Sequence, residues 1–505
     1  MAVYFMGIDV GTFETKGVLV DGDMQVVAIH AEKHGMENPQ PGYFEHDAEE
    51  VWWGDFCKVS KALIEKSGVD PADIKCVGAS ALGADLVPVD ENCVALRKAI
   101  LYGIDARAHK EWDQMYEKYG REEVLKFNGR PLVANDVPPK ILWIKNNEPE
   151  VYEKTYKFLT ASSYLTAKLT GEYVIDRFLG YGGFTPLYDP EKGDIDYRYI
   201  NDFCRPDQVA TLHDNTDIVG TVHAKAAAET GLLEGTPVIT GADDSGAEAV
   251  STGILEVGDF MVQIGSTLYF IGIADHLARD QRIWAGGFLI PNANSIQGGT
   301  NAAGTFTRWF RDNLYFDALK LEQEGGPDAY ETMMEGLADI PVGSDGIICL
   351  PYIAGERTPI NDPLARGAIF GLRIDHTRTH IYHAALESIA YGIKHHFDIF
   401  KENDVEAKRI FAAGGGTKNP VWMQMIADVM GQEIHTAEVG VGAAYGDALM
   451  CAIATGHLEK FADIRKYVTE STLYKPNMEN HEKYKKYYDN FLKLYEVTKD
   501  IAHDL

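Results

Sequence analysis

Four short segments carry residue types that could move a phosphoryl group. The first is Asp9-Val10-Gly11-Thr12-Phe13-Glu14-Thr15-Lys16. Gly11 lets the backbone turn tightly and approach a ligand. Thr12 and Thr15 offer hydroxyls, Lys16 a cation, and Asp9 a carboxylate for a metal. The spacing is neither G-x-x-x-x-G-K-[ST] nor G-x-G-x-x-G. The second segment, Gly265-Ser266-Thr267, is a tight turn of small residues. The third runs from Gly414-Gly415-Gly416 to Asn419-Pro420, with Asn419 suited to an N-cap and Pro420 to the first helical position. A glycine loop entering a helix leaves free amides, which favour a phosphate or the edge of a nucleotide. Each loop alone reads equally well as an ordinary turn; three in one chain are harder to dismiss. The fourth segment, Gly241-Ala242-Asp243-Asp244-Ser245, puts two carboxylates between a buried strand and a helix start. Such a carboxylate can act as base for a hydroxyl, while metal and amides stabilise the spread charge of phosphoryl transfer. Simple helix capping explains the pair as well.

Strands must hold these loops. Apolar runs at 3–8, 17–20 and 25–29 predict strand, tight loop, strand, turn, strand. A helical region over 48–67 and a strand over 74–79 follow. The pattern returns with strands at 259–264, 268–273 and 409–413. Each half thus begins with strand, small-residue loop and strand, which predicts two related α/β domains meeting near 245–258. The tail places Tyr484, Tyr487, Tyr488, Phe491 and Tyr495 at helical spacing, a core stripe. His395-His396 lacks the i, i+4 spacing of a helical metal site and reads as packing. Gly355 to Pro359 reads as a loop with an ion pair.

Composition bounds the classes. At 505 residues, with ~150 per domain, the chain holds two to four domains. A formal charge of −29 argues against nucleic acid as partner, since phosphate backbones need a basic field. It leaves room for a small anion held by local amides. The N-terminus lacks the basic region of a signal peptide, and no stretch approaches ~20 apolar residues, so no membrane association is expected. Six scattered cysteines without a C-x-x-C pair predict a reduced, cytoplasmic protein.

Taken in order, the segments resemble the FGGY carbohydrate kinases, and within them the xylulokinase-like members. The residues carrying the likeness are Gly7-Ile8-Asp9-Val10-Gly11-Thr12, Gly241-Ala242-Asp243-Asp244, Gly265-Ser266-Thr267, Arg308-Trp309, the stretch from Gly355-Glu356-Arg357-Thr358-Pro359 to Arg366-Gly367, and Gly414-Gly415-Gly416 with Trp422. The resemblance implies two actin-like ATPase (ribonuclease H-like) domains with an interdomain active-site cleft. Residues 1–250 would hold the sugar and the base, and residues 251–505 mainly the nucleotide. It implies ATP and Mg²⁺, with Asp9 and Asp244 on the metal side. Gly11, Thr12, Thr15 and Lys16 match the first phosphate loop, and Gly265, Ser266 and Thr267 the second. Gly304 and Arg308 match nucleotide contacts, and Gly414, Gly415 and Asn419 the adenosine side. Asp244 matches the catalytic base, with Asp243 as rival. The sugar-reading stretch departs from the family pattern: Ala81-Leu82-Gly83-Ala84-Asp85 stands where xylulokinases carry Gln-Met-His-Gly. Gly83, Ala84, Asp85 and Asp105 are the expected sugar-side residues. The implied substrate is a ketopentose such as D-xylulose, with another ketose, a polyol or a branched sugar as alternatives. A non-catalytic regulatory relative is the competing class, against which the intact loops and base speak. A homodimer is a family-level expectation.

Overall fold

The computed structural model describes residues 2–134, 136–437, 442–468 and 470–505. Strands β1 (Tyr4–Val10), β2 (Glu14–Asp21) and β3 (Val26–Lys33) form an antiparallel meander. Helix α1 (Gly54–Ser67) leads back to β4 (Ile74–Ala81), which runs parallel to β1. After a helical excursion that includes α2 (Val137–Asn147), β5 (Ile218–Thr221) and β6 (Pro237–Ile239) complete the order β5-β6-β4-β1-β2-β3. The short β7 (Ala242–Asp243) continues beside β4 and runs straight into α3 (Asp244–Ser251).

The second half repeats this wiring. Strands β8 (Asp259–Ile264), β9 (Leu268–Ala274), β10 (Trp284–Gly287) and β11 (Asn294–Thr300) are antiparallel neighbours in the order β10-β11-β9-β8. Helices α4 (Gly304–Asn313) and α5 (Arg378–Glu402) precede β12 (Arg409–Ala413), which lies parallel to β8. Helix α6 (Pro420–Met430), β13 (Ile434–Ala437), α7 (Ala443–Ala454), β14 (Glu470–Tyr474) and α8 (Met478–His503) complete the chain. The internal repeat expected from the sequence is therefore real at the level of topology: two mixed sheets, with three antiparallel strands in the first and four in the second, each extended by two parallel strands and an antiparallel edge strand.

Both faces of β1 are covered, which is why Phe5, Met6, Ile8 and Val10 are all buried. One face meets α1, and Gly17 on the neighbouring strand leaves the space that Val59 fills. The other face meets α7. A Cβ at Gly7 would lie 2.0 Å from the Ala444 carbonyl oxygen, so only glycine lets helix and strand approach this closely. Helix α7 comes late in the chain, yet its Ala448 to Ala452 belong to the core of the first sheet. It also crosses α3, where a Cβ at Gly446 would lie 2.0 Å from the Ala247 carbonyl. The tail stripe is core, as expected: Tyr484, Tyr488 and Phe491 of α8 pack on Tyr391 of α5. His396 is buried, stacks on Phe270 at 4.3 Å and lies 2.9 Å from the Thr358 hydroxyl, a packing role.

Candidate active site

The first loop is the β1–β2 turn. Asp9 pairs with Lys16 and Val10 with Thr15 across the hairpin, and the Gly11 amide donates to the Glu14 carbonyl at 3.0 Å. This register places Asp9, Thr12 and Lys16 at one end of the first sheet. Thr15 Oγ1 is buried without a protein partner, and Lys16 is held only by a 3.8 Å contact to Glu14. Thr15 is fully buried on the face opposite Lys16, so the expected ligand contact of Thr15 is corrected, and Lys16 is the side chain of this pair that a phosphate can reach.

Gly265-Ser266-Thr267 forms the equivalent β8–β9 turn. It is built onto α4: the Gly304 amide donates to the Gly265 carbonyl at 2.9 Å and the Thr305 amide to Ser266 O at 2.9 Å. A Cβ at Gly304 would lie 2.6 Å from Gly265 O. Gly414 follows β12 with φ +92°, and a Cβ there would lie 2.7 Å from the Ile264 carbonyl. Gly265, Ser266, Gly304 and Gly414 thus converge at one end of the second sheet. Gly415 is exposed. Asn419 caps α6 by accepting from the Trp422 amide at 3.0 Å, so its carboxamide is engaged structurally. Arg308 is exposed on α4.

The two carboxylates at the start of α3 divide their roles. Asp243 is the N-cap, and its Oδ2 accepts from both the Ser245 amide and the Ser245 hydroxyl. Asp244 is the first helical residue; among the described residues no side-chain donor holds its carboxylate, on which the Ser245 amide acts. Burial, then the charges of Asp243, Asp9 and Glu248, push Asp244 well above the usual carboxylate range. Burial also raises Asp243 to about 7 and Asp9 to about 6, the latter opposed by Ser80 and Lys16. Glu248, one turn along α3, accepts from Gln263 of β8 at 3.1 Å. Tyr269 of β9 lies 3.3 Å from Ser245 Oγ and donates to Gln297 at 2.9 Å. These contacts join the second sheet to the helix that carries the base.

Two sugar-side residues are engaged within the protein. The Asp105 oxygens accept from the buried Arg107 guanidinium, the Arg107 amide and the Phe44 amide. Asp85 lies fully beneath the loop, where Oδ1 accepts from the Tyr102 amide at 2.8 Å and Oδ2 has no partner. Beside it the buried Lys140 of α2 donates to the Ala84 and Leu101 carbonyls. Burial raises Asp85 to about 8 and lowers Lys140 to about 8, each opposing the other's shift. Asp85 thus braces the loop from below. Gly83 and Ala84 stay small, and the space beside Gly83 is taken by Asp243 and Leu179.

Several residues of the site escaped the sequence reading. Ser80 Oγ sits 3.0 Å from Asp9 Oδ1 and 2.7 Å from Oδ2 of Asp447 on α7, whose Oδ2 also accepts the Ser80 amide at 2.8 Å. One hydroxyl proton serves one carboxylate, so the other contact needs a protonated carboxyl. Burial raises both carboxyls, Asp447 well above the usual range and Asp9 to about 6. The available signal was a lone carboxylate in the otherwise small and apolar run Gly442 to Ala454.

Two repeated α/β domains, small-residue loops at the ends of both sheets and a free carboxylate heading a helix define a phosphotransferase that acts on an alcohol group. Comparison with known proteins gives the same class. The N-terminal domain of the FGGY family of carbohydrate kinases matches residues 4–251 and its C-terminal domain residues 283–455. The chain belongs to that family. It is 29% identical to the xylulose kinase of Bacillus subtilis, over 99% of this chain and 98% of that protein. It is 26% identical to the gluconokinase of the same organism, over 98% and 96%. The crystal structure of xylulose kinase from Rhodospirillum rubrum superposes with a TM-score of 0.91 at 28% identity, covering all of both chains.

Proposed function

We propose that this kinase transfers the γ-phosphoryl group of ATP, supplied with Mg²⁺, to a hydroxyl of a small ketose, with D-xylulose first in order and D-xylulose 5-phosphate as product. The observation that carries the reading is the division of labour at α3: Asp243 caps the helix, which leaves Asp244 free for chemistry. Asp244 takes the proton of the attacking hydroxyl; the new O–P bond forms as the bond to ADP breaks. Amides of the Gly11–Thr12 and Gly265–Thr267 turns, with Lys16, stabilise the charge on the phosphoryl oxygens. Mg²⁺ enters with ATP as substrate, next to Asp9. Residues 1–250 hold sugar and base and residues 251–505 the nucleotide, with Gly414 and Gly415 on the adenosine side. The free cysteines fit action in the cytoplasm, and a homodimer fits the family.

One observation favours a variant of this reading. Arg357 donates to the Thr300 carbonyl at 2.7 Å and neighbours the Glu356 carboxylate, and its Nε is buried without a partner among the described residues. A sugar acid, as the gluconokinase likeness suggests, would pair with that cation. ADP release with Mg²⁺-ATP across pentuloses, hexuloses, pentitols, aldoses and aldonic acids separates the two. A strong response to D-xylulose supports the first reading, and one to an aldonic acid the second. No response to any sugar, with ATP bound, sinks both and favours a non-catalytic relative.

A further inference from the structure

Two imidazoles lie beneath the first phosphate loop. Both ring nitrogens of His34 face acceptors: Nε2 is 3.0 Å from the Gly11 carbonyl oxygen and Nδ1 is 3.0 Å from Asp55 Oδ2. A neutral imidazole has a single N–H and would set a lone pair against one of these oxygens; only the imidazolium donates to both. The pair is shielded, with His34 and Asp55 side chains 6% and 5% exposed. Asp55 is anchored on α1, and its other oxygen accepts from Lys58 at 2.8 Å. His46 stands edge-on to His34 with ring centres 5.2 Å apart. Trp52 donates to His46 Nδ1 at 3.1 Å, which fixes the His46 proton on Nε2. Burial, then the neighbouring His34, lowers His46 to about 4, so His46 is the neutral member.

The loop's carbonyls are drawn inward. Val10 O accepts from the Leu82 amide at 2.9 Å, Gly11 O from the His34 ring, and Phe13 O from the His34 amide at 3.0 Å. In a trans peptide the carbonyl of one residue and the N–H of the next point in opposite directions. Holding Gly11 O down on His34 therefore turns the Thr12 N–H up, away from the protein core. The next amide, Phe13 N–H, lies in the same turn, and His46 Nε2 is buried without a hydrogen-bond partner among the described residues. Among the described residues neither amide has a protein acceptor. Successive outward N–H groups make an anion-binding concavity.

We propose that His34, an imidazolium clamped between Gly11 and Asp55, is a positioning residue that aims the Thr12 amide at a nucleotide phosphate and sets a positive charge beneath it. This rests on the phosphate-loop reading above. In a chain of formal charge −29, a fixed cation at this point offsets the local repulsion of a polyphosphate.

The test needs two measurements. Nitrogen-15 NMR of histidine-labelled protein at neutral pH, with the His34 signals assigned by their loss in His34→Gln, reads the protonation directly. Both ring nitrogens should carry protons; a neutral single tautomer overturns the proposal. Calorimetric titration with MgADP should then show affinity about tenfold weaker in His34→Ala. His34→Gln should fall between Ala and wild type, because its amide still donates to Gly11 O. Sugar affinity should move less than twofold. Equal MgADP affinity in all three proteins, even with altered melting temperatures, would reduce His34 to a structural role and sink the idea. Wild type that binds no MgADP would instead remove the phosphate-loop reading, and the proposal with it.

Discussion

Gly83 and Asp243 are fitted to each other: a Cβ at position 83 would lie 2.6 Å from Asp243 Oδ1. Asp243 is itself pinned by Ser245, so the carboxylate cannot swing aside without losing the helix cap. A larger residue at 83 must therefore displace either the loop or the cap, and both border the base. Gly83→Met is expected to raise the sugar KM by about tenfold or more through overpacking. MgADP affinity should fall less than sugar affinity, because this stretch meets the first phosphate loop through the Leu82 amide and Val10 carbonyl and lies apart from Gly265 and Gly414 of the second sheet. Steady-state kinetics with both substrates varied would reveal the split, and a uniform loss would argue against it.

Asp244→Asn removes the base while keeping the shape. Turnover should fall by about 10²- to 10⁴-fold with MgADP binding retained. Asp243→Asn keeps a good cap and should fold normally, whereas Asp243→Ala should cost about 1 kcal/mol of stability. An active Asp244→Asn enzyme beside an inactive Asp243→Asn enzyme would reverse the assignment.

The acid limb of the kcat/KM profile should report a carboxylate raised above its ordinary range. Burial and the charges of Asp243, Asp9 and Glu248 all favour the neutral form of Asp244, and the base works only when ionised. Glu248→Gln removes one of those charges, makes ionisation easier and should move the limb to lower pH. A shift to higher pH, or none, would show that Glu248 does not act on the base.

Away from the site, Glu387 on α5 is buried, accepting from the Gly343 amide and the Ser344 hydroxyl, both at 2.8 Å. Burial raises it from 4.5 to about 8. The folded state thus keeps a proton that the unfolded chain gives up. Its stabilising contribution is full below the unfolded pKa and is lost as pH rises through the folded one, between about 4.5 and about 8. In Glu387→Gln the melting temperature should decline less across pH 5–8, by about 2–4 °C per kcal/mol removed. Kinase activity should be unchanged. Parallel melting curves for the two proteins across that range would rule this out.

Much of the site was legible because its loops obey local rules. Gly265-Ser266-Thr267 sits between two apolar runs, and Asn419-Pro420 carries its own helix-start signal. What the sequence hid was the set of partners. Asp105 is held by Arg107, two positions on, and by distant Phe44, and α2 brings Lys140 beneath the loop beside Asp85. His34 carried no signal at all: its meaning comes from Gly11 and Asp55, each more than twenty positions away. Side-chain type shows what a residue can do, and only the fold shows whether its capacity is already spent.

The placement of α7 bears on how the molecule can be divided. Because Ala448 to Ala452 supply a wall of the first sheet's core, a gene cut after codon 250 would encode a half lacking one of its own faces. Phe5, which packs on His457 just after α7, would then be uncovered and invite aggregation. Neither half is a cassette that evolution or an engineer could swap intact. New substrate preferences in this scaffold have to arise by editing residues in place.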